Sequence, residues 1–577
     1  VGLDYIRELR TREGLFMVVT AVIIGVLAGY GAVGFRKLID LVRSGAFGNA
    51  LPFLGGLGLG GMALVFIPTL GGLLVGPITA FFPQEARGHG VPEVMEAVLT
   101  RRGVMKPRTV VLRAVASALS IGSGGSVGRE GPIVQIGSAI GSTVGQLWRL
   151  TGNPMKVLVG CGAAGGIAAT FNAPIAGFIF ANEVILGDFS LATVSPIILS
   201  SVAATAVSRH YLGAFPAFMV PQYVLASPLE LLFYAVLGIL VSLVAFFYVR
   251  ALYWAEDLFD EKLPIPDLFK PALGGLLLGF IALLFPQVMG NGYPYMEQAM
   301  RGEMALWLMA SLVVVKVVAT SITIGSGGSG GVFAPALFVG AMAGGTFGTV
   351  VHKLFPTVTA PEGCYALVGM GGVFAAAAFA PLTSILILFE LTNNYTIILP
   401  IMIVCVIGYV HGRWIRRYSI YTLKLHRKGV EVERGRDVNI MREIRVEDAM
   451  EKTFISVTPD TPLTRLAGII HRTGQSFYPV VSREGKLEGI ITFHDLEPTL
   501  FVSGLEQLVV ADDLASKSLI VTTPQESLYE AVKKMDRAGI RQLPVVDPQD
   551  PERLLGIITR KDVVAAYNRE MVKRGLQ

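Results

Sequence analysis

Ile121–Pro132 reads IGSGGSVGREGP, and Ile324–Pro335 reads IGSGGSGGVFAP. The same glycine-rich string returns 203 positions on (324 minus 121), with a glutamate, Glu130, in the first copy only. A second pair follows: GGIAATFNAPIAGFIFANE over Gly165–Glu183 matches GGVFAAAAFAPLTSILILFE over Gly371–Glu390, Ala380-Pro381 standing 207 positions after Ala173-Pro174 (380 minus 173). Two halves of about 200 residues are therefore expected, and corresponding broken helices in two halves are a transporter pattern with the site at the repeat interface. The strings leave open whether the halves are parallel or inverted.

Composition sets the medium. With 52% hydrophobic and 16% charged residues among 577 and a mean hydropathy of +0.59, the chain is too apolar for a soluble protein. The formal charge of +5 is spread too widely to imply a nucleic-acid partner. Cys161, Cys364 and Cys405 sit in apolar stretches without metal-ligand spacing and read as packed thiols. Arg7, Arg10 and Arg12 precede the first apolar run without a small-residue cleavage site, so the N-terminus is expected in the cytoplasm with no signal peptide. Hydropathy extends from about Leu15 to about Arg413. Gly and Pro cut many runs below the roughly 20 residues of a span, so uninterrupted spans are expected to be the minority. Breaks leave backbone groups that are tolerated only inside protein or beside a water-filled path.

Three loops carry the chemistry. GHGVPE (Gly88–Glu93), GREGP (Gly128–Pro132) and GVFAP (Gly331–Pro335) each place glycine ahead of a proline and a mostly apolar run. Proline suits the first helical turn and glycine the tight approach to it, so each loop is expected to expose a helix N-terminus. Converging ends offer N–H donors and positive dipole ends to an anion without a full countercharge, which lets the anion leave again. Close helix packing is the alternative for any single loop. A phosphate-binding loop is disfavoured because IGSGGSVGREGP lacks the Lys-Ser/Thr pair. Glu130 breaks the symmetry; a carboxylate at mid-membrane costs roughly 3 kcal/mol on insertion scales, so function is its default reading. It can fill an anion site itself and vacate it on protonation, while an ion pair with Arg129 is the structural alternative.

GHGVP, GREGP and GVFAP in this order, followed by a late tyrosine, resemble the CLC family of chloride channels and proton-coupled chloride antiporters, over nearly the whole chain. The resemblance implies an all-α polytopic homodimer with two inverted repeats per subunit and one anion pore in each. It implies Glu130 as the gating glutamate and an anion site formed at His89, Gly90, Arg129, Gly131, Val332 and Phe333. Tyr421, placed 26 positions after Tyr395 (421 minus 395), answers to the tyrosine whose hydroxyl faces the central site; an interfacial anchor is the alternative. Two positions depart from the family pattern. His89 stands where serine, or proline in nitrate-preferring members, is usual, which puts selectivity and pH response in question. Val184 stands where antiporters commonly carry a second glutamate, directly after Glu183.

The tail repeats itself as well. Phe477–Asp495 and Gln542–Asp562 align with Gly556 standing 67 positions after Gly489 (556 minus 489), and each unit alternates β-branched strands with helical stretches. This resembles a tandem pair of cystathionine-β-synthase (CBS) domains. The resemblance implies adenine nucleotide as ligand, with Thr492, Asp495, Thr559 and Asp562 suited to ribose hydroxyls; dimer packing is the alternative role. The expected organisation is a membrane domain over 1–421 with halves at 15–210 and 228–421, a linker over 422–444, a first CBS domain over 445–498, a connector over 499–512 and a second CBS domain over 513–577. The expected function is a passive chloride channel of the inner membrane, gated at Glu130, with a cytoplasmic tail. A proton-coupled antiporter is the alternative, and a nucleotide sensor without transport is a distant third. No metal cluster or nucleophile-base pair suggests an enzyme, and no cofactor is required beyond pore chloride.

Overall fold

A computed structural model describes residues 13–54, 60–214, 220–221, 223, 225–430, 436–473, 475, 477–492, 495 and 508–573. The N-terminal arginines and the connector residues 499–507 lie outside the described residues. The chain divides into two compact units, Val1–Val432 and Glu433–Gln577.

The first unit is helical. After α1 (Glu13–Arg43), seven helices form the first half: α2 (Ala63–Phe81), α3 (Val91–Thr100), α4 (Thr109–Gly122), α5 (Glu130–Leu147), α6 (Asn153–Phe171), α7 (Pro174–Phe180) and α8 (Leu191–Leu212). After α9 (Glu230–Asp257), the order recurs as α10 (Lys270–Leu284), α11 (Tyr293–Met300), α12 (Leu306–Gly325), α13 (Phe333–Leu354), α14 (Glu362–Ala378), α15 (Pro381–Thr392) and α16 (Ile398–Ile415). Local chemistry repeats with it. α6 ends on Asn172 and α14 on Phe379, both left-handed at φ 59° and 57°, and each is followed by an Ala-Pro that starts the next helix. A left-handed cap ends one helix and proline fits the first turn of the next, which is why the Ala-Pro pair survives in both halves.

The halves are related by a pseudo-twofold. Gly72 of α2 packs on the backbone of Pro271, and Gly275 of α10 packs on that of Pro68, so each position meets its counterpart's neighbour reciprocally, as a twofold requires. Gly128 and Gly331 pair antiparallel. Such reciprocity is what the inverted repeats implied by the resemblance require.

Eight helical segments among the described residues are long and apolar enough to cross a membrane, from Gly14–Phe53 to Tyr395–Ile415, and five apolar helices are shorter. The expectation that uninterrupted spans are the minority is thus corrected. Pro68 and Pro77 sit inside α2, and Pro196 inside α8. Membrane helices carry such residues because neighbouring groups re-satisfy the backbone that proline frees. Cys161, Cys364 and Cys405 are buried and unbridged. Thr422–Arg427 forms a further helix, α17, whose Lys424 reaches Glu93 at 2.9 Å. This helix belongs with the membrane unit rather than with the linker expected over 422–444.

The second unit contains two hairpins. β1 (Phe477–Val481) pairs antiparallel with β2 (Leu487–Thr492), and β3 (Gln542–Val546) with β4 (Leu554–Thr559). Both carry an irregularity at the same place, Val480/Val481 and Val545/Val546. Helices lie before and after the second hairpin: α18 (Leu528–Ala538) buries Leu528, Ala531 and Met535, and α19 (Arg560–Lys573) buries Val563 and Ala566. Ser527 and Glu530 form a capping box at the start of α18, and Gly539 ends it at φ 67°, the pairing of start and stop signals that fixes a short amphipathic helix.

Candidate functional site

The three glycine loops meet. Gly128 donates to the Gly331 carbonyl at 2.7 Å and receives from the Gly331 amide at 2.6 Å. Gly88 pairs with the strand-like segment at Ser329, and the Ser117 and Ser329 hydroxyls lie 2.9 Å apart. A methyl group on Gly131 would overlap the His89 carbonyl, so only glycine lets the first and second loops approach. The first intrahelical bonds of α5 and α13 are Ile133 to Arg129 and Ala336 to Val332. The amides at Arg129–Gly131 and Val332–Ala334 precede those turns and point away from any helical partner, as the first N–H groups of a helix must. Val332 and Phe333 are buried, the Phe333 ring 4.0 Å from that of Phe374. Gly90 departs from its expected role: its amide donates to Glu93 Oε2 at 2.9 Å. That N–H closes a capping interaction with α3 and is not available to an anion.

Glu130 starts α5 and is 0% exposed. One carboxylate oxygen accepts from the Tyr293 hydroxyl, and Oε2 has no partner among the described residues. Arg129 Nε stands 4.0 Å from Oε1, too far for a hydrogen bond, and its guanidinium lies over the Tyr293 ring, 5.4 Å from the centroid. The ion-pair alternative for Glu130 is therefore weak in geometry. On one side, Arg129 and Tyr293 line a cavity of about 570 Å³ shared with Arg36, Arg43, Asp40 and Glu297. Glu130 lies behind this wall, bonded to the Tyr293 that lines it.

Tyr293 belongs to a fourth loop that the sequence reading missed. GNGYP over Gly290–Pro294 repeats the Gly-x-Gly-x-Pro of GHGVP 202 positions on (290 minus 88), and Gly290 donates to the Gly124 carbonyl at 3.2 Å. Each of these two loops is held by a buried cation. Arg113 donates to the carbonyls of Ala86 at 2.9 Å and Gly88 at 2.6 Å, and Lys316, 203 positions on (316 minus 113), donates to Val288 and Gly290, both at 2.8 Å. A lone basic residue in an apolar helix at the repeat offset was the available signal.

The remaining positions separate by environment. Tyr421 is buried, 1% exposed, and interacts electrostatically with Glu130 and with Tyr248, whose hydroxyl donates to the Val332 carbonyl at 3.0 Å. It is no interfacial anchor. His89 is 0% exposed; Nε2 lies 3.3 Å from Glu256 Oε1, and Nδ1 has no partner among the described residues. Val184 is buried in a π-helical turn. Its neighbour Glu183 accepts from the Leu382 and Thr383 amides at 3.1 and 2.8 Å and from the Thr383 hydroxyl at 2.6 Å. Glu390 does the same in reverse, accepting from Ile175 and Ala176 at 3.0 and 2.7 Å. The two carboxylates cap each other's partner helices, α15 and α7, across the pseudo-twofold. In the tail, Thr492 donates its amide and hydroxyl to Asp495 Oδ2 at 2.7 and 2.6 Å, and Thr559 to Asp562 Oδ2 at 2.9 and 2.6 Å. These pairs cap the chain where β2 and β4 end.

Residues 71–413 match the family described as voltage gated chloride channel, and residues 446–497 and 510–569 match the CBS domain. The chain is similar to a putative chloride channel protein ClcB-like of Ralstonia nicotianae, 37% identical over 63% of this chain and 86% of the relative. It is similar to the H(+)/Cl(-) exchange transporter ClcA of Vibrio parahaemolyticus, 32% identical over 71% of this chain and 89% of the relative. Among solved structures, a slow cyanobacterial Cl⁻/H⁺ antiporter superposes with a TM-score of 0.65 at 26% identity, over 71% of this chain and 97% of that one.

Proposed function

The chain belongs to the voltage-gated chloride channel family, CLC, as a multi-pass anion-transporting membrane protein, and from that premise we propose that it exchanges chloride or a similar small anion for protons through a path closed by Glu130. The observation that carries this reading is the Glu130 carboxylate itself: wholly buried between that cavity and three converging helix starts, with one oxygen uncommitted. An anion held by the amides around Arg129, Gly131, Val332 and Phe333, with Tyr421 and His89 nearby, is opposed by the charge of that carboxylate at the start of the same helix. Protonation removes the tethered charge and frees the site, which couples proton movement to anion movement. The exchanger name of the Vibrio relative and the antiporter of 26% identity support exchange. A passive channel is the second reading, and Val184 favours it, since a buried branched aliphatic side chain neither binds a proton nor keeps water. In sealed liposomes with an imposed chloride gradient and no proton gradient, chloride efflux should drive protons uphill at a fixed ratio. Chloride flux without proton movement would establish the channel instead.

The protein acts as a homodimer in the inner membrane, with the N-terminus and the CBS pair in the cytoplasm. The pair is proposed to bind an adenine nucleotide at Thr492, Asp495, Thr559 and Asp562. Their mutual hydrogen bonds use the Thr hydroxyls and one oxygen of each Asp, so the second carboxylate oxygen is the one offered to a ribose. Calorimetry on the full chain should show binding of AMP, ADP or ATP, weakened about tenfold by Asp562→Ala, the loss of one charge-assisted hydrogen bond. Absence of binding by all three nucleotides would leave the pair a packing role only.

A further inference from the structure

We propose that Glu256 and His89 form the inner leg of the proton route to Glu130. The inference rests on the exchange reading and supplies what Val184 lacks.

Two of the buried acids near these loops are committed. Glu183 is occupied by three donors at the start of α15. Glu93 holds Lys424 at 2.9 Å and the Gly90 amide at 2.9 Å. Glu256, near the end of α9, is different. Its side chain is 17% exposed, and its Oε1 stands 3.3 Å from Nε2 of a histidine with no exposure at all. The pair therefore joins a position that water reaches to one that it does not. His89 sits in the loop whose carbonyl lies against Gly131, the residue after Glu130. Its second nitrogen, Nδ1, is buried without a partner among the described residues. A buried ring nitrogen left open costs free energy, and a transient partner on the anion side, a water or the permeant ion, removes that cost.

The charges around the ring fit a relay. Glu93 on α3, Arg113 on α4, Tyr253 and Glu256 on α9, and Lys424 on α17 surround it. Arg113 is spent on the Ala86 and Gly88 carbonyls, while Lys424 bonds Glu93 and its charge also acts on Glu256. Glu256 is the carboxylate within reach of a ring nitrogen, 3.3 Å from Nε2, so it is placed to pass a proton to the ring and to stabilise the imidazolium that results. In the inward-to-outward direction, a proton from water binds Glu256 and passes to His89 Nε2. The imidazolium then releases its Nδ1 proton to water in the anion site or to the Glu130 carboxylate. The ring is left protonated on Nε2, and half a turn of the ring brings its free nitrogen to Glu256 for the next transfer. One proton enters and one leaves, with no electrons transferred.

The test uses the full chain in sealed liposomes, with chloride and proton fluxes recorded together for the unaltered protein, Glu256→Gln, Glu256→Asp, His89→Gln and the double variant Glu256→Gln/His89→Gln. Glu256→Gln keeps the size and a hydrogen bond to Nε2 but carries no titratable proton. We expect its proton-to-chloride ratio to fall at least tenfold, the His89→Gln ratio to fall likewise, the double variant to be no lower than either, and Glu256→Asp to recover most of the ratio. A ratio unchanged in both single variants overturns the relay while exchange stands. So does an equal loss of both fluxes in Glu256→Gln, which would mark a structural role. Absence of proton movement in the unaltered protein overturns the exchange reading, and the relay with it.

Discussion

Glu130→Gln should abolish uphill proton movement and leave chloride flux insensitive to pH, and Glu130→Ala should add a raised resting flux. Glutamine preserves the volume of the side chain and can still accept from Tyr293 through its amide oxygen, so packing at the start of α5 is conserved. It removes the negative charge buried beside the anion donors and the proton that relieves it. Loss of charge weakens competition with the permeant ion at any pH, because nothing remains to titrate. Alanine also empties the space between the cavity and the loops, where the carboxylate is buried with no exposure. The measurement is paired chloride and proton flux from liposomes across the pH range in which the unaltered protein changes rate. If both variants keep the pH dependence of the parent, Glu130 is not the gate, and the converging amides alone must explain transport.

The parts of this site that can be read from sequence are those where backbone approaches backbone. IGSGGS persists in both halves because a side chain at Gly125 would strike the Ser120 carbonyl and one at Gly328 the Thr323 carbonyl, and GREGP needs its Gly131 against the His89 carbonyl where the other half carries Ala334. Ala173-Pro174 and Ala380-Pro381 persist because each follows a left-handed helix cap. Side chains that face the two ends of the path are free to differ between halves, and there the sequence is less legible. GNGYP shares only two glycines and a proline with GHGVP, and its tyrosine faces Glu130 whereas the corresponding Val91 does not. The Glu256 contact with His89 spans 167 positions and has no local pattern. Arg113 and Lys316 each stand as a single cation in an apolar helix, legible only after the repeat offset is known. Glu183 and Glu390 were visible as register marks, but capping across the twofold requires the two helices to run antiparallel, a tertiary fact.

That reciprocal capping carries the second large effect. Glu183→Ala should lower the thermal stability of the detergent-solubilised protein much more than Glu390→Ala, although the two positions are repeat counterparts. Glu183 is 9% exposed and serves three donors, two of them buried. Deleting it leaves the start of α15 with unsatisfied N–H and O–H groups out of reach of water, at roughly 1 to 3 kcal/mol each. Glu390 is half-buried, and its bond to the Ile175 amide is exposed, so water replaces part of what the carboxylate provides. Glu183→Gln retains an acceptor and should recover most of the loss. The same variants bear on proton transfer, because Glu183 adjoins Val184 and is the nearest carboxylate in sequence to that apolar position. A carboxylate tied down by three donors is not free to swing between partners and makes a poor carrier, so Glu183→Gln should keep the parent's proton-to-chloride ratio. If that ratio collapses while the melting temperature is unchanged, Glu183 carries the proton and its bonds to α15 open during transport. If Glu390→Ala proves the more damaging, the burial difference between the two halves does not set the strength of these caps.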